Sequence, residues 1–553
     1  MRISSFDIFD TCLVRKCGTP ENMLDVLSQR VFVHEPQEWA RQEFVAARRL
    51  TEQKLWQENP RYTLQDIWVE FEWSHQFLKT KKELCQLEQE LEREMLVPVL
   101  FMRDKVNECR NRGDKIIFIS DMYLSSEFLK DILRNYGFYQ DGDALYVSCE
   151  CGAMKWSGEL FEYVRKQENL SSFRHWHHYG DNGVGDYKVP KRLGIQCTLV
   201  NHSYTPYQQQ WVDKDYSLGF KYPSILAGLG RALHYCTNWN THTDFVLDII
   251  APFYCSWMYQ VLADAHKQGV KRLYFCARDA YQIHKIALQM QSQFPEVGIE
   301  YVYMSRKALY NEDNTEAKLA YYKQIGLATT SDKVAIVDIT TSGKTLVVLN
   351  EFLSAHGYKK VTAYYYLLWN KVDGVDRSKY NVQVYDQYLD TNTNCSYLKK
   401  ELFVFENFFA LNNDNKTVDY KDAKPVFTEQ KEYDDYILTD GIDWAKEHEA
   451  LMTLYAKEFV GLGLGRYAAE LYNHVVMPTL SKFFRIPQKQ YLSALATYFV
   501  FKPNRNAFLP YVKKYPVFKL PFVRGKYTIW RRGTFIMSLP DWLNKLLYRG
   551  YKS

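Results

Sequence analysis

The stretch Arg2–Ile8 reads as a short buried strand that ends beside an acid, Asp7, and passes at once into a loop. Runs of the same kind recur at Lys115–Ile119, Ala144–Val147, His175–Tyr179 and Ile195–Val200. Short apolar strands alternating with helical segments satisfy both faces as a parallel sheet covered by helices. That alternation points residues 1–205 toward an α/β, Rossmann-like domain. A long helical pattern interrupts it straight after the first strand. Residues Glu21 to Val99 carry helical periodicity at Glu38–Gln57, Leu64–Phe77 and Lys82–Met95. An insert there, at about residues 15–100, suits a cap domain over the α/β core.

The strand ends carry the chemistry. Phe6-Asp7-Ile8-Phe9-Asp10-Thr11 offers a carboxylate, Asp7, that can attack phosphorus and form an aspartyl-phosphate. In Phe118-Ile119-Ser120-Asp121 the Ser120 hydroxyl would bond a phosphoryl oxygen. Lys155, followed by Trp156-Ser157-Gly158, would neutralise the nucleophile and the transferring group. Gly180-Asp181-Asn182-Gly183-Val184-Gly185-Asp186 supplies hard oxygen donors suited to Mg²⁺. An acid after a strand is commonly only a cap or turn residue; four such segments in order, each at a strand end, are a much narrower signal.

In that order the four segments resemble the haloacid dehalogenase superfamily. The resemblance implies Asp7 as nucleophile, Thr11 as a substrate-binding residue, and Mg²⁺ held by Asp7, Asp181, Asp186 and the Phe9 carbonyl. It also implies that the helical insert selects the substrate and excludes water. One departure matters. Many phosphatases of this superfamily place a second Asp two residues after the nucleophile as general acid, and here that position is Phe9. Asp10 is the candidate substitute. Dehalogenases and phosphonate-cleaving members also lack that second Asp, although the Mg²⁺-type carboxylates disfavour dehalogenation.

A second alternating series follows an expected linker at 206–245 and occupies 246–430: strand Arg272–Cys276, a helix from about Ala280 to Gln291, strands Ile299–Met304 and Lys333–Asp338, a helix to about Phe352, and strand Lys360–Leu368. This predicts a second doubly wound domain. In it, Asp338 ends a strand and Thr340-Thr341-Ser342-Gly343-Lys344-Thr345 opens a helix. Amides and hydroxyls in such a turn bind phosphate. The loop resembles the phosphoribosyl pyrophosphate loop of type I phosphoribosyltransferases. By that resemblance Asp338 contacts ribose hydroxyls, while Thr341, Ser342, Gly343, Lys344 and Thr345 surround the 5-phosphate. Gly343-Lys344-Thr345 also matches the end of a nucleotide P-loop, but Asp338 stands where that loop needs its first Gly.

Upstream, Arg278 and Asp279 follow the first strand of the series, and Arg306 and Lys307 follow the second. The transferase resemblance makes the three basic residues substrate contacts and Asp279 a candidate base for the acceptor hydroxyl. The transferases usually carry two acids where this chain has Val337 and Asp338, and their first loop usually has a Gly that is missing here. A noncatalytic α/β domain is the remaining reading, with Arg278 and Arg306 as surface or ion-pair residues.

A hydrophobic content of 46% with 24% charged residues excludes wholesale disorder. The 11 Cys show neither a disulfide framework nor paired metal-ligand spacing, as expected of a reduced cytoplasmic chain. No secretory signal or membrane-length apolar run is evident. From Ser481 to Ser553, 15 Lys and Arg face one acid, Asp541, among Phe483, Phe484, Tyr498, Phe499, Phe501, Trp530 and Trp542. This region, within an expected helical segment 431–553, suits the cytoplasmic face of the inner membrane or a lipid-linked acceptor; packing against the acidic remainder is the plainer alternative. No nucleic-acid motif appears.

Together the two halves resemble the dual-module ribofuranosyltransferases of bacterial capsule and O-antigen assembly. That resemblance implies transfer of 5-phosphoribosyl from phosphoribosyl pyrophosphate to a glycan or lipid-linked oligosaccharide, with inversion, followed by removal of the 5-phosphate. A stand-alone phosphatase with a noncatalytic binding domain, and a noncatalytic scaffold, are the competing expectations.

Overall fold

Ile3–Phe6 (β1) is buried along its whole length, as a central strand of a parallel sheet must be. It runs parallel to Lys115–Ser120 (β2) on one side and Trp176–Gly180 (β4) on the other. Ala144–Val147 (β3) and Gln196–Leu199 (β5) form the edges, giving the order β3-β2-β1-β4-β5 with every pairing parallel. Phe6 lies level with Phe118 and Tyr179, so the three central strands end together. Leu160, Phe161 and Val164 of the helix Glu159–Gln167 pack on Ile3, Ile117, Ile119 and Trp176 beneath them. The computed structural model describes residues 2–32, 38–73, 79–218, 222–237, 242–341, 343–368, 382–384, 415–428, 436–438, 443–502, 507–510, 512–522 and 530–548. It divides into two units, Met1–Trp239 and Asn240–Ser553.

The insert after β1 is helical, with helices at Pro20–Val31, Glu38–Glu58, Leu64–Glu70 and Lys81–Met95. Thr63 with Asp66 and Thr80 with Glu83 form reciprocal capping boxes that fix two of the starts. The third helix stops at Glu70, short of the expected Phe77. Phe71 turns extended and packs its ring on Trp68 and Phe44 instead. The chain enters and leaves the insert through an antiparallel ribbon of Leu13–Arg15 and Leu96–Pro98. Beside that ribbon the buried Arg15 guanidinium bonds Glu92 through Nε and Nη2, each at 3.0 Å. A second buried pair, Arg48–Glu88 at 2.8 Å, is completed by the Trp68 indole N–H on Glu88 at 2.8 Å. Buried ions held this closely cost several kcal/mol, about 3–5, when one partner is removed.

Residues 206–236, expected as part of a linker, instead form the helices Pro206–Leu218 and Tyr222–Cys236. The second is buried because its small residues allow close approach. A Cβ on Gly228 would lie 2.3 Å from the Gly18 nitrogen, so the helix seats directly on the loop that leads into the insert. Asn22 Nδ2 donates to Ser224 Oγ at 2.9 Å across the same contact.

In the second unit Arg272–Cys276 (β6), Gly298–Val302 (β7), Val334–Thr341 (β8), Thr362–Leu368 (β9) and Val382–Val384 (β10) form a parallel sheet. Their order is β10-β9-β8-β6-β7. Strand order reverses between β6 and β8, and the carboxyl edge at such a reversal is where open α/β sheets bind ligands. Thr243–Lys267 is long and apolar enough to cross a membrane, but 89% of its apolar window is buried inside the protein. The C-terminal region is helical at Trp444–Gly461, Met477–Arg485, Lys489–Leu495, Arg531–Ser538 and Asp541–Leu547. It departs from the all-helical expectation in an antiparallel sheet of Tyr436–Leu438, Tyr498–Lys502 and Ala507–Pro510. The run Tyr498-Phe-Val-Phe has the aromatic and β-branched residues that favour strands.

Candidate active site

Asp7 leaves β1 with its backbone N–H on the Tyr179 carbonyl at 2.8 Å, which aims its side chain past the common end of the three central strands. Lys155 reaches the same point from the turn before the helix Glu159–Gln167. Its ammonium bonds Asp7 Oδ1, and also Asp186 Oδ1 at 2.7 Å. Asp121 fixes the Lys155 backbone by accepting its N–H through both oxygens, at 2.9 and 3.0 Å. Thr11 donates toward Asp7 Oδ2 at 3.3 Å. Ser120 is buried at the end of β2 and lines the same cleft.

Asp186 is held from three sides. The Asn182 N–H donates to its Oδ2 at 3.0 Å, and His178 Nε2 meets its Oδ1 at 3.1 Å. Ser5 Oγ lies 2.7 Å from His178 Nδ1 and accepts from the Trp176 indole at 2.6 Å. One tautomer satisfies the chain: Ser5 donates to Nδ1, and Nε2–H donates to Asp186. Burial lowers the His178 pKa, which agrees with a neutral ring. Gly180 is required here, because a Cβ on it would stand 2.4 Å from Asp186 Cγ.

Ligand atoms of Asp7, Asp181 and Asp186 all fall within 4.8 Å of one another. Among the described residues, these three carboxylates share one bonded cation, Lys155, with Asp7 and Asp186 buried, which leaves excess negative charge at this point. Burial, and then Asp10 and Asp186, push Asp181 up to about 7. Burial, with Asp186 and Asp181, likewise raises Asp7 against the pull of Lys155. Asp186 is depressed, chiefly by Lys155 and His178 acting against its burial. A cluster of hard oxygen donors in which carboxylates outnumber the bonded cation fits a divalent cation such as Mg²⁺.

The cluster floors a cleft of about 750 Å³, within the range of small-molecule sites. Arg49, Glu52, Trp56 and Tyr62 of the insert form its opposite wall. Phe9 lines the cleft too, and its ring lies under the Arg15 guanidinium, 4.5 Å from carbon to centroid. Asp10 has a left-handed backbone, φ 52°, and its Oδ1 accepts from Arg231 at 2.9 Å. Arg231 also bonds the Gly18 carbonyl at 3.2 Å. His202 Nε2 lies 3.1 Å from the Thr11 carbonyl. Arg231, His178 and His202 have no motif around them, and the sequence reading passed over all three.

The remaining candidates lie in the second unit. Asp338 on β8 and Asp279 after β6 both act on Cys276, whose thiol burial pushes well up, and on the buried Tyr254 hydroxyl. β8, which carries Asp338, pairs with β6 at the strand-order reversal, and Asp279 and Arg278 lie in the loop that follows β6. Ile339 N–H donates to Asp338 Oδ1 at 2.9 Å. Thr341 closes β8, and Gly343, at φ 78°, precedes the helix Lys344–Ala355; Ser342 lies outside the described residues. The helix Lys344–Ala355 packs on the helix Arg306–Tyr310. That contact brings the loop after β7 to the loop after β8, while Arg306 and Lys307 are exposed.

No protein-family model and no curated protein matches the chain. Solved structures do align with part of it. A HAD-hydrolase, YfnB, from Bacillus subtilis bound to magnesium is 20% identical, with 37% of this chain and 89% of that chain covered at a TM-score of 0.27. A HAD-family enzyme from Bacteroides thetaiotaomicron is 14% identical over 38% and 98%, at 0.29. The L-2-haloacid dehalogenase from Xanthobacter autotrophicus is 14% identical over 41% and 86%, at 0.30.

Proposed function

We propose that the first unit is a Mg²⁺-dependent phosphohydrolase of the haloacid dehalogenase type, acting on a phosphate monoester. The observation that carries this is Asp7, Asp181 and Asp186 gathered at one point of a cleft, with Lys155 bonded to Asp7 and Asp186. In this reading an Asp7 oxygen attacks phosphorus, the ester oxygen leaves, and water later cleaves the aspartyl-phosphate to phosphate and free Asp7. Lys155 orients Asp7 and offsets charge on the transferring group. Ser120 and Thr11 offer hydroxyls to the phosphoryl oxygens. Asp10, which lines the cleft and is bonded to Arg231, would exchange a proton with the leaving oxygen. A bound cation held by Asp7, Asp181, Asp186 and the Phe9 carbonyl would lower the repulsion between carboxylate and phosphate.

The second part of the proposal is a phosphoribosyl pyrophosphate-dependent transferase in the second unit. Its support is Asp338 on β8 and Asp279 in the loop after β6, the two strands between which the order reverses, with a turn after β8 that opens a helix through Gly343. Transfer would leave a ribofuranosyl 5-phosphate on a glycan acceptor, and the first unit would then remove the phosphate. Surface polysaccharide assembly is the setting where such a product is needed. Mass spectrometry of a glycan acceptor incubated with Mg²⁺ and phosphoribosyl pyrophosphate tests both parts. Wild type is expected to add a pentose and Asp7→Asn a phosphopentose. No addition and no pyrophosphate release across an acceptor panel would leave a stand-alone phosphatase with a noncatalytic second unit.

A further inference from the structure

The basic, aromatic end of the chain contains a small lobe with its own apolar centre. Leu520 and Leu539 are buried, with Tyr515, Phe535, Leu543 and Tyr548 packed against them. The segment Val517–Phe522 and the helices Arg531–Ser538 and Asp541–Leu547 therefore share one core. Other large apolar side chains of the same segments point outward. Phe518 is 73% exposed, Trp542 67% and Leu546 74%, and Val517 and Leu547 are exposed beside them in sequence. Trp542 and Leu546 are four residues apart and so occupy one helix face. Chains that stay in water rarely concentrate such residues on one small element.

The charge around these tips has one sign. Lys513, Lys514, Lys519, Arg532 and Lys545 are all exposed. The lobe's acid, Asp541, is neutralised by Lys489 at 2.7 Å. The Lys519 ammonium sits 5.8 Å from the Phe518 ring centroid, so a cation and an apolar tip are presented together. Exposed aromatic and leucine side chains accompanied by exposed Lys and Arg are the composition that enters the headgroup boundary of an anionic bilayer.

We propose that this lobe seats the protein on an anionic phospholipid surface, with Phe518, Trp542 and Leu546 entering the boundary and the surrounding cations at phosphate level. The occupant is lipid rather than a second copy of the chain, since two copies of this lobe would bring like charges together. The inference does not depend on the phosphatase reading.

Flotation of the full chain with vesicles of phosphatidylglycerol and phosphatidylcholine, against phosphatidylcholine alone, tests it. The chain is expected to float with the anionic vesicles and to lose about tenfold in partition on the neutral ones or in high salt. The double variant Phe518→Ser, Trp542→Ser is expected to lose about tenfold on anionic vesicles while melting like the parent, both side chains being exposed. If that variant melts lower, the triple variant Lys513→Glu, Lys514→Glu, Lys519→Glu makes the same test through charge. The proposal is overturned if the parent floats with neither vesicle or equally with both. It is also overturned if well-folded variants float like the parent, or if the parent is a dimer in solution that the serine variant dissociates while neither binds vesicles.

Discussion

The cleft of the first unit and the strand ends of the second sheet handle charge in opposite ways. In the first, Asp7, Lys155 and Asp186 are buried and bonded to one another, and Asn182 and His178 fix the orientation of Asp186. The geometry is set by the protein before any ligand arrives. In the second, Asp279 and Asp338 share the surroundings of Cys276 and Tyr254, while the basic residues of the β7 loop remain exposed. A preorganised cluster holds its field fixed for a developing charge. Cations that stay in water are gathered only when an anionic ligand replaces that water.

The largest effect that would sharpen this contrast comes from Lys155→Met. It leaves Asp7 and Asp186 buried without their shared cation, and about 3–5 kcal/mol of stability is expected to be lost together with turnover. Chemical denaturation measures it; an unchanged midpoint would mean that the cluster is not held by internal charge compensation. Gly180→Ala is expected to act next. Its new Cβ must displace Asp186, and a shift of that order costs about 10²-fold in rate with a modest change in melting.

The third effect depends on pH. Asp181 is raised from 3.8 to about 7 mainly by burial, so the folded metal-free protein holds that proton more tightly than the unfolded chain does. The stability this gives is complete below about pH 3.8 and is lost as pH rises through about 7. Mg²⁺ requires the ionised carboxylate, so the rise in melting temperature on adding Mg²⁺ should grow from about pH 6 to about pH 8. A constant increment across that range would remove Asp181 from the ligand set. The smallest effect is expected from Asp338→Ala, which should leave phosphate-monoester hydrolysis unchanged while ending any use of phosphoribosyl pyrophosphate. Loss of hydrolysis in that variant would show that the two regions do not act separately.

The same contrast explains what could be read from the sequence. The three central strands of the first sheet were legible because each is a short, largely buried run, and Asp7 and Asp181 because they stand just beyond the ends of two of them; Lys155 and Asp186 were legible by their order after these. The expected departures at the nucleophile loop were only half visible. Phe9 at the place of a second acid was plain, but the Arg231–Asp10 contact joins residues 221 apart in sequence. The helix that carries Arg231 read as a linker, since nothing local to Tyr222–Cys236 marks the Gly18 loop as its partner. His178 was hidden for a related reason: in sequence it is one more residue of a strand, and only the alternation of side chains along that strand turns it toward Asp186. In the second sheet the elements were legible by alternation, but their order was not. The pairing of β6 with β8 sets the strand that carries Asp338 beside the one whose loop carries Asp279, and it is a long-range choice that no single segment encodes. The strand Tyr498–Lys502 was missed because the helices flanking it set the expected period.

The most direct measurement is phosphate release from a small aryl phosphate by wild type and Asp7→Asn, with Mg²⁺ and with chelator, each protein's fold checked by melting. Turnover that needs Mg²⁺ and falls by about a thousandfold or more in a folded Asp7→Asn protein is the expected result. Hydrolysis that survives the substitution, or that proceeds equally in chelator, would contradict Asp7 as the nucleophile of a metal-assisted phosphatase.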